Sequence, residues 1–249
     1  MVSSPKKKSF SVQNISIEGN IGSGKTSFTN YFLNNPNIQV FPEPIDKWRN
    51  LCGHNLLDLY YADPVKWGFA FQMFVQKSLM DIIYKPTKCP YKIIERSIYS
   101  AKYTFVENMH NKKTINDVEY LVYSEWFDFC SKVLPLKIDL IIYIRTDPII
   151  CYHRIKERGR IEETMISLDL LNELHELHES WLIKKYFTDF DIPVLVLDGN
   201  QSNKFMEKHA SQVMKDMFEN IIIHKHLSNN CDRSPLKQLY GNCSKFYDF

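Results

Sequence analysis

No run of apolar residues in this chain approaches the roughly 18 that a membrane-crossing helix needs, so nothing in it points to a bilayer. The cysteines Cys52, Cys89, Cys130, Cys151, Cys231 and Cys243 form no CxxC pair. With no secretory leader pattern ahead of them they are expected as free thiols in a reducing compartment, the cytoplasm first, with mitochondrion or nucleus as alternatives. The opening MVSSPKKKSF lacks the arginines and amphipathic period of a mitochondrial transit peptide, and Lys6 to Lys8 read as a solvated tail or a weak nuclear signal. A net charge of +2 generates too little field to imply a nucleic-acid partner. There is no internal repeat. There is also no NKxD motif, which a guanine-reading GTPase switch would need. HExxH is absent too: His175 and His178 are three apart and Glu179 stands where the second histidine belongs, so a helix surface is expected there and not a zinc site.

What is present is ordinary globular material, 44% hydrophobic and 24% charged over 249 residues, enough for one large α/β domain or two small ones. Residues 1 to 12 are expected to be a flexible N-terminal tail, 13 to 223 the domain, and 224 to 249, rich in Asn, Ser and Lys, a disordered or loosely docked tail. Short, nearly continuous apolar runs at Asn14–Ile17, Ile38–Phe41, Tyr91–Glu95, Leu140–Ile144 and Val194–Leu197 predict strands buried on both faces. Helical patterns alternate with them: Ser27–Leu33, Pro64–Tyr84, Thr114–Leu134 with Leu121, Val122, Trp126 and Phe129, Pro148–Lys156, Ser167–Phe187 and Phe205–Ile222. The alternation predicts an α/β fold, a three-layer sandwich with a five-stranded parallel sheet between helices, and the GxxxxGK[ST] loop at 19–26 makes it the P-loop NTPase type.

Gly19-Asn20-Ile21-Gly22-Ser23-Gly24-Lys25-Thr26 fits GxxxxGK[ST], with a strand before it and a helix after. Glycines let backbone N–H groups converge on phosphate oxygens, and the helix N-terminus adds its dipole. Lys25 supplies a charge for the β- and γ-phosphates, and Thr26 a hydroxyl for Mg²⁺. Phosphate binding does not name a reaction. Glu43, between Pro42 and Pro44, sits on a stiff segment after the second strand, at the edge where parallel sheets bind ligands. There it can accept a proton from a hydroxyl; by itself it would read as a solvated loop acid. Arg96, ending the third strand, can pair with Glu43 and keep it ionised, while Glu95 can face the metal's water shell. Arg154, Arg158 and Arg160, interrupted by Gly159, suit a lid that folds over polyphosphate.

The stretches EGNIGSGKT, EPIDKW, LLDLYYADP with FQMFV, ERSIYSAKYTFVENM, RIKERGRIEE and LHELHESWL stand in order over Ile15 to about Asp198. Together they resemble the deoxyribonucleoside kinases, in particular the branch of the insect multisubstrate and animal mitochondrial thymidine kinases. The resemblance implies ATP and Mg²⁺ as cofactors and transfer of the γ-phosphoryl group to a deoxyribose 5′-hydroxyl in nucleotide salvage. It implies Glu43 as base, Arg96 as its orienting partner, Lys25 on the phosphates, Glu95 by the metal, and the lid arginines on the donor. Tyr61 and Glu163 match the readers of the 3′-hydroxyl, and Gln72 the reader of the base. One flip of its amide pairs with thymine, the other with cytosine. Phe105 is implied as the stacking partner, with Trp48, Phe71, Val75, Leu79 and Met109 closing the walls; spacing alone would assign that stripe to ordinary core. Deoxycytidine- and purine-preferring relatives carry an arginine and an aspartate where this chain has Leu79 and Ala101, so thymidine and deoxycytidine are the expected substrates, with purines open. Leu79 departs from the methionine usual in the thymidine branch. A homodimer is implied, with no nucleic-acid or membrane partner. Two other readings stay open: a nucleoside monophosphate kinase of the thymidylate kinase kind, and a non-catalytic P-loop switch. Asp198-Gly199 is either a simple turn or a loop beside the donor's adenine.

Overall fold

Five strands hydrogen-bond in parallel in the order β2-β3-β1-β4-β5: β1 (Gln13–Glu18), β2 (Ile38–Phe41), β3 (Tyr91–Glu95), β4 (Leu140–Arg145) and β5 (Val194–Asp198). The computed structural model describes residues 12–134, 137–186 and 191–218. β1 is central, with Ile15 opposite Ile93 on one side and Leu140 on the other. All five residues of β3 are buried, as are Leu140 to Ile144 of β4, so these runs are covered from both sides as expected; the outer strands β2 and β5 are not, with Gln39, Val40, Val194 and Val196 only half-buried. Each fully buried isoleucine contributes about 1.5–3 kcal/mol relative to exposure. The exception in β3 is Lys92. Its ammonium donates to the carbonyls of Ile82, Ile83 and Lys85 (3.0, 2.7 and 2.6 Å), satisfying the end of the helix before the strand.

Helices flank the sheet. α1 (Lys25–Asn30) leaves the glycine loop; α2 (Ile45–Arg49) and α3 (Leu56–Ala62) follow β2; α4 (Pro64–Tyr84) starts with proline at its first position and Asp63 as its cap. After β3 one helical stretch runs through α5 (Ile98–Ser100), a π-helical turn (Ala101–Val106) and α6 (Glu107–Asn111). α7 (Asp117–Val133), α8 (Pro148–Arg158), α9 (Leu168–His178) and α10 (Asn203–Phe218) complete the set. Phe41, Ile94, Ile141 and Tyr143 of the sheet pack with Ile82 of α4 and with Trp181 and Leu182.

The predicted strands lie within the observed ones, and the parallel sheet is as expected. Helices differ more. α2, α3 and the stretch 98–111 have no counterpart in the sequence reading. α7 begins at Asp117, not Thr114, because Asn116 accepts from the Val118 and Glu119 amides while Glu119 reaches back to the Asn116 amide. Its buried residues are Tyr123, Phe127 and Cys130; Leu121, Val122, Trp126 and Phe129 are exposed. The helix expected over 167–187 breaks at His178 into a π-helical turn, Glu179–Ile183, marked by the Lys184 amide bonding to the Glu179 carbonyl. The chain divides into two compact units, Met1–Ala210 and Ser211–Phe249. The expected tail at 224–249, and all but Val12 of the tail at 1–12, lie outside the described residues.

Candidate active site

The ends of β1, β2 and β3 converge on one edge of the sheet. Beyond β1 the chain turns through two positions that only glycine fits. Gly19 has φ 147°, and a Cβ there would stand 2.6 Å from the Ile144 carbonyl oxygen; Gly22 has φ 76°, and its Cβ would stand 2.6 Å from the Cys151 carbonyl. Lys25 curls beneath the loop and donates to the Gly19 and Asn20 carbonyls (3.0 and 2.7 Å). Burial lowers its pKa to about 8, and Arg96 acts in the same direction. Asn20 ties the loop to α9 through the Leu171 carbonyl (2.8 Å). The Thr26 hydroxyl donates to Glu95 Oε1 at 2.8 Å, which sets two hard oxygen donors side by side at the loop's exit.

Glu43 lies between its prolines after β2, and its Oε1 is 2.8 Å from Arg96 Nε. Arg96 also donates to the Gly19 carbonyl (3.1 Å), and its guanidinium carbon lies 4.8 Å from the centre of the Phe105 ring. Its backbone is left-handed, φ 65°, a conformation an arginine adopts at a cost of about 1–3 kcal/mol. Burial raises the Glu43 pKa above the usual carboxylate range despite the opposing Arg96; Glu95 raises it further and Lys25 lowers it. The predicted Arg96–Glu43 pair is present, but burial outweighs the ionising effect expected of Arg96; Thr26 and Glu95, each expected at the metal, lie side by side.

A cavity of about 560 Å³ opens beside this pair. Trp48, Phe71, Gln72, Val75 and Leu79 line it from α2 and α4, Ala101 and Phe105 from the π-helical turn, and Tyr61 from α3. The Trp48 indole donates to Ser78 Oγ (2.9 Å) and meets the Phe71 ring edge-on, which locks that wall. Gln72 is buried, and its Oε1 has no hydrogen-bond partner among the described residues. Met109 does not belong to this wall. It packs in the core against Gly68, where a Cβ would collide with its terminal methyl, so the absence of a side chain on α4 draws the methionine away from the cavity. Leu57, Tyr60, Ser100 and Asn108 line the cavity without having been expected to. Leu57 could have been found from its place one helical turn before Tyr61, and Tyr60 as its neighbour; Ser100 and Asn108 left no signal because the mixed aromatic and polar residues of 98–111 show no 3.6-residue period.

Over the cavity lies the lid. α8 ends at Gly159 in the left-handed conformation, and a 3-10 turn, Ile161–Glu163, follows. Arg158 holds Glu163 through Nε and Nη2 (3.0 and 2.7 Å), and Arg160 adds Nη1 (3.2 Å). Arg154 instead donates to the Ser23 carbonyl of the glycine loop (3.3 Å). Arg49 pairs with Glu162, which joins α2 to the lid. Tyr61 is close enough to Glu163 to feel its charge: burial, then Tyr60, Glu163 and Glu43, push its hydroxyl pKa up.

The histidine motif is not a helix surface. His178 is fully buried, its Nδ1 2.6 Å from the Leu174 carbonyl, and Glu179 is consumed by Tyr143 and both nitrogens of the Arg145 fork (2.8–2.9 Å). No cluster of three metal-binding side chains occurs among the described residues. Asp198 closes a turn onto the Asn200 amide and Gln201. Gly199 and Gln201 line a small second cavity with Ser27, Tyr31 and Arg154 beside the glycine loop.

Residues 15–224 match the family model described as Deoxynucleoside kinase. Thymidine kinase 2, mitochondrial, of Homo sapiens is 42% identical over 205 residues, which is 82% of this chain and 74% of that protein. The deoxycytidine kinase of Mus musculus is 35% identical over 234 residues (82% and 89%), and a probable deoxycytidine kinase of fowlpox virus is 36% identical over 209 residues (82% and 86%).

Proposed function

The chain belongs to the deoxynucleoside kinase family, an ATP-dependent kinase of deoxynucleosides in salvage, and from that premise we propose how this site performs the transfer and on which bases. Thymidine and deoxycytidine are the preferred acceptors, and the sugar's 5′-hydroxyl is phosphorylated. The observation that carries this is the half-buried Glu43 carboxylate, held 2.8 Å from Arg96 in a cavity whose wall of Trp48, Phe71, Gln72, Val75, Leu79, Ala101 and Phe105 carries no charge.

The base enters between Phe105 and the Trp48–Phe71 wall. Gln72, with a buried amide oxygen in want of a donor, reads its edge; a thymine ring N–H or a cytosine amine satisfies the amide in one flip or the other. Ala101 leaves room for thymine's methyl group. Tyr61 and Glu163 hold the 3′-hydroxyl, which fixes the sugar with its 5′-hydroxyl under Glu43. Glu43 takes the hydroxyl proton as the 5′-oxygen bonds to the γ-phosphorus and the bond to the β,γ-bridging oxygen breaks, releasing ADP, and Arg96 stabilises the charge that develops. The glycine loop, from Gly19 to Lys25, cradles the triphosphate, with Lys25 turning from its own backbone to the β- and γ-phosphates. Arg154, Arg158 and Arg160 close over the donor, and the cavity at Gly199 takes its adenine. Thr26 and Glu95 supply the hard oxygens that suit Mg²⁺ through its water shell; when bound, the ion neutralises phosphate charge.

A second copy of the chain covers the exposed apolar row on α7, where Val118, Leu121, Val122, Trp126, Phe129 and Val133 recur at helical spacing. Cys52, Cys89, Cys130 and Cys151 are unpaired, which suits work in the cytoplasm. No helix among the described residues is long and apolar enough to cross a membrane. A monophosphate acceptor is disfavoured, because Glu43 would repel its phosphate. The test is phosphate transfer from ATP to thymidine, deoxycytidine, deoxyadenosine, deoxyguanosine and thymidine monophosphate. The two pyrimidine nucleosides are expected to turn over fastest. Transfer to the monophosphate alone would overturn the assignment, and no transfer at all would leave the switch reading.

A further inference from the structure

We propose that Glu18, the last residue of β1, is a positioning residue for the transfer: it holds the turn that aims the Arg96 guanidinium at Glu43. This assignment rests on the function proposed above, in which Glu43 is the base and Arg96 its partner.

Glu18 is fully buried and does not line the cavity, so it meets neither substrate. Its Oε1 accepts from Ser16 Oγ (2.7 Å) and Ser97 Oγ (2.5 Å), while Oε2 has no hydrogen-bond partner among the described residues. Burying a carboxyl in this way is costly, and it is weak evidence for a purely stabilising part, because apolar side chains of the same volume stabilise a core at least as well. What the carboxyl does fix is geometry. Arg96 is left-handed, and β1 clamps that turn at two successive residues. The Arg96 amide donates to the Ile17 carbonyl (3.1 Å), and the Ser97 hydroxyl donates to Glu18. Ser97 in turn begins the helical stretch that carries Ala101 and Phe105, and Ser100 Oγ accepts from its amide (3.3 Å). One carboxyl thus ties the donor loop's strand to the orientation of Arg96 and to the wall against the base. Without it the Ser97 hydroxyl is released, Arg96 is free to relax into ordinary backbone conformations, and the guanidinium leaves both Glu43 and the Gly19 carbonyl. The groups around Glu18 are the hydroxyls of Ser16, Ser97 and Ser100 and the Arg96 cation; burial outweighs them and raises its pKa. A glutamine of the same length keeps the Oε1 acceptor to which Ser16 and Ser97 donate and so mimics it closely, whereas aspartate is one methylene too short to reach Ser97.

The experiment compares wild type, Glu18→Ala, Glu18→Asp and Glu18→Gln for thymidine phosphorylation, with thermal midpoints measured alongside. Glu18→Ala and Glu18→Asp are expected to lower kcat by about 10- to 100-fold, the scale of a misaligned catalytic group, with KM for ATP changed less than about threefold. Glu18→Gln is expected to restore most of the lost kcat. If Glu18→Ala does not fold, Ser97→Ala against Ser97→Thr makes the same comparison, with threonine keeping the hydroxyl. A folded Glu18→Ala or Ser97→Ala enzyme with wild-type kcat and only a lowered thermal midpoint would overturn the proposal and leave the proposed function standing. A wild-type enzyme inactive on every deoxynucleoside would instead overturn the function on which it rests.

Discussion

At the scale of single residues the site is a balance of buried charge. Glu43 and Arg96 face one another, with Lys25 and Glu95 close enough to alter the proton affinity of the acid. Replacing Glu43 by glutamine keeps the shape and removes the base, so Glu43→Gln is expected to bind thymidine near wild-type strength in calorimetry while kcat falls about 10²- to 10⁴-fold. The direction of its pKa shift also sets a pH dependence. A base must be ionised, burial raises the pKa of Glu43, and activity is therefore lost as pH falls through a value above the ~4.3 of a free glutamate. A kcat/KM profile for thymidine should show an acidic limb above that value, absent in Glu43→Gln; a limb at or below it would mean that the titrating group is solvated. Glu43, Arg96 and Glu95 were legible from their places at or just beyond strand ends, and Thr26 from the glycine-loop motif. Met109 was not, because its direction depends on Gly68, remote in sequence. The burial of His178 was equally hidden, since it depends on the sheet residues packed against it, Tyr143 among them.

Among elements, the strands were the readable part: continuous apolar runs in the parallel sheet leave little ambiguity. The helical stretch 98–111 escaped because its aromatic and polar residues are mixed and its π-helical turn breaks the 3.6-residue period. That same turn puts Ala101 and Phe105 on the cavity wall. α2 and α3 are too short to show a period. α7 is apolar on two sides, and periodicity alone could not say which side is covered. The structure leaves Leu121 and Trp126 in water, so their replacement in Leu121→Asp/Trp126→Glu should convert a dimer to a monomer by light scattering, with α7 itself intact in circular dichroism. A wild-type chain that scatters as a monomer at the same concentration would remove the second copy from the proposal.

For the molecule as a whole, parallel topology explains why chemistry gathers where it does. With β1 at the centre, the glycine loop follows β1, Glu43 follows β2 and Arg96 follows β3, so three separate stretches of chain reach one edge. The lid returns to that edge from α8, with Arg158 and Arg160 on Glu163 and Arg49 on Glu162 bridging to the acceptor side. The architecture was predictable because it follows from the alternation of strands and helices; the lid's contacts were not, because they are made between surfaces that the sequence does not pair. The most direct measurement is a crystal of the closed complex with a non-hydrolysable ATP mimic and thymidine. The account predicts a Glu43 carboxylate oxygen within about 2.6–3.2 Å of the sugar's 5′-oxygen. A 5′-oxygen remote from Glu43 in that closed complex would contradict it.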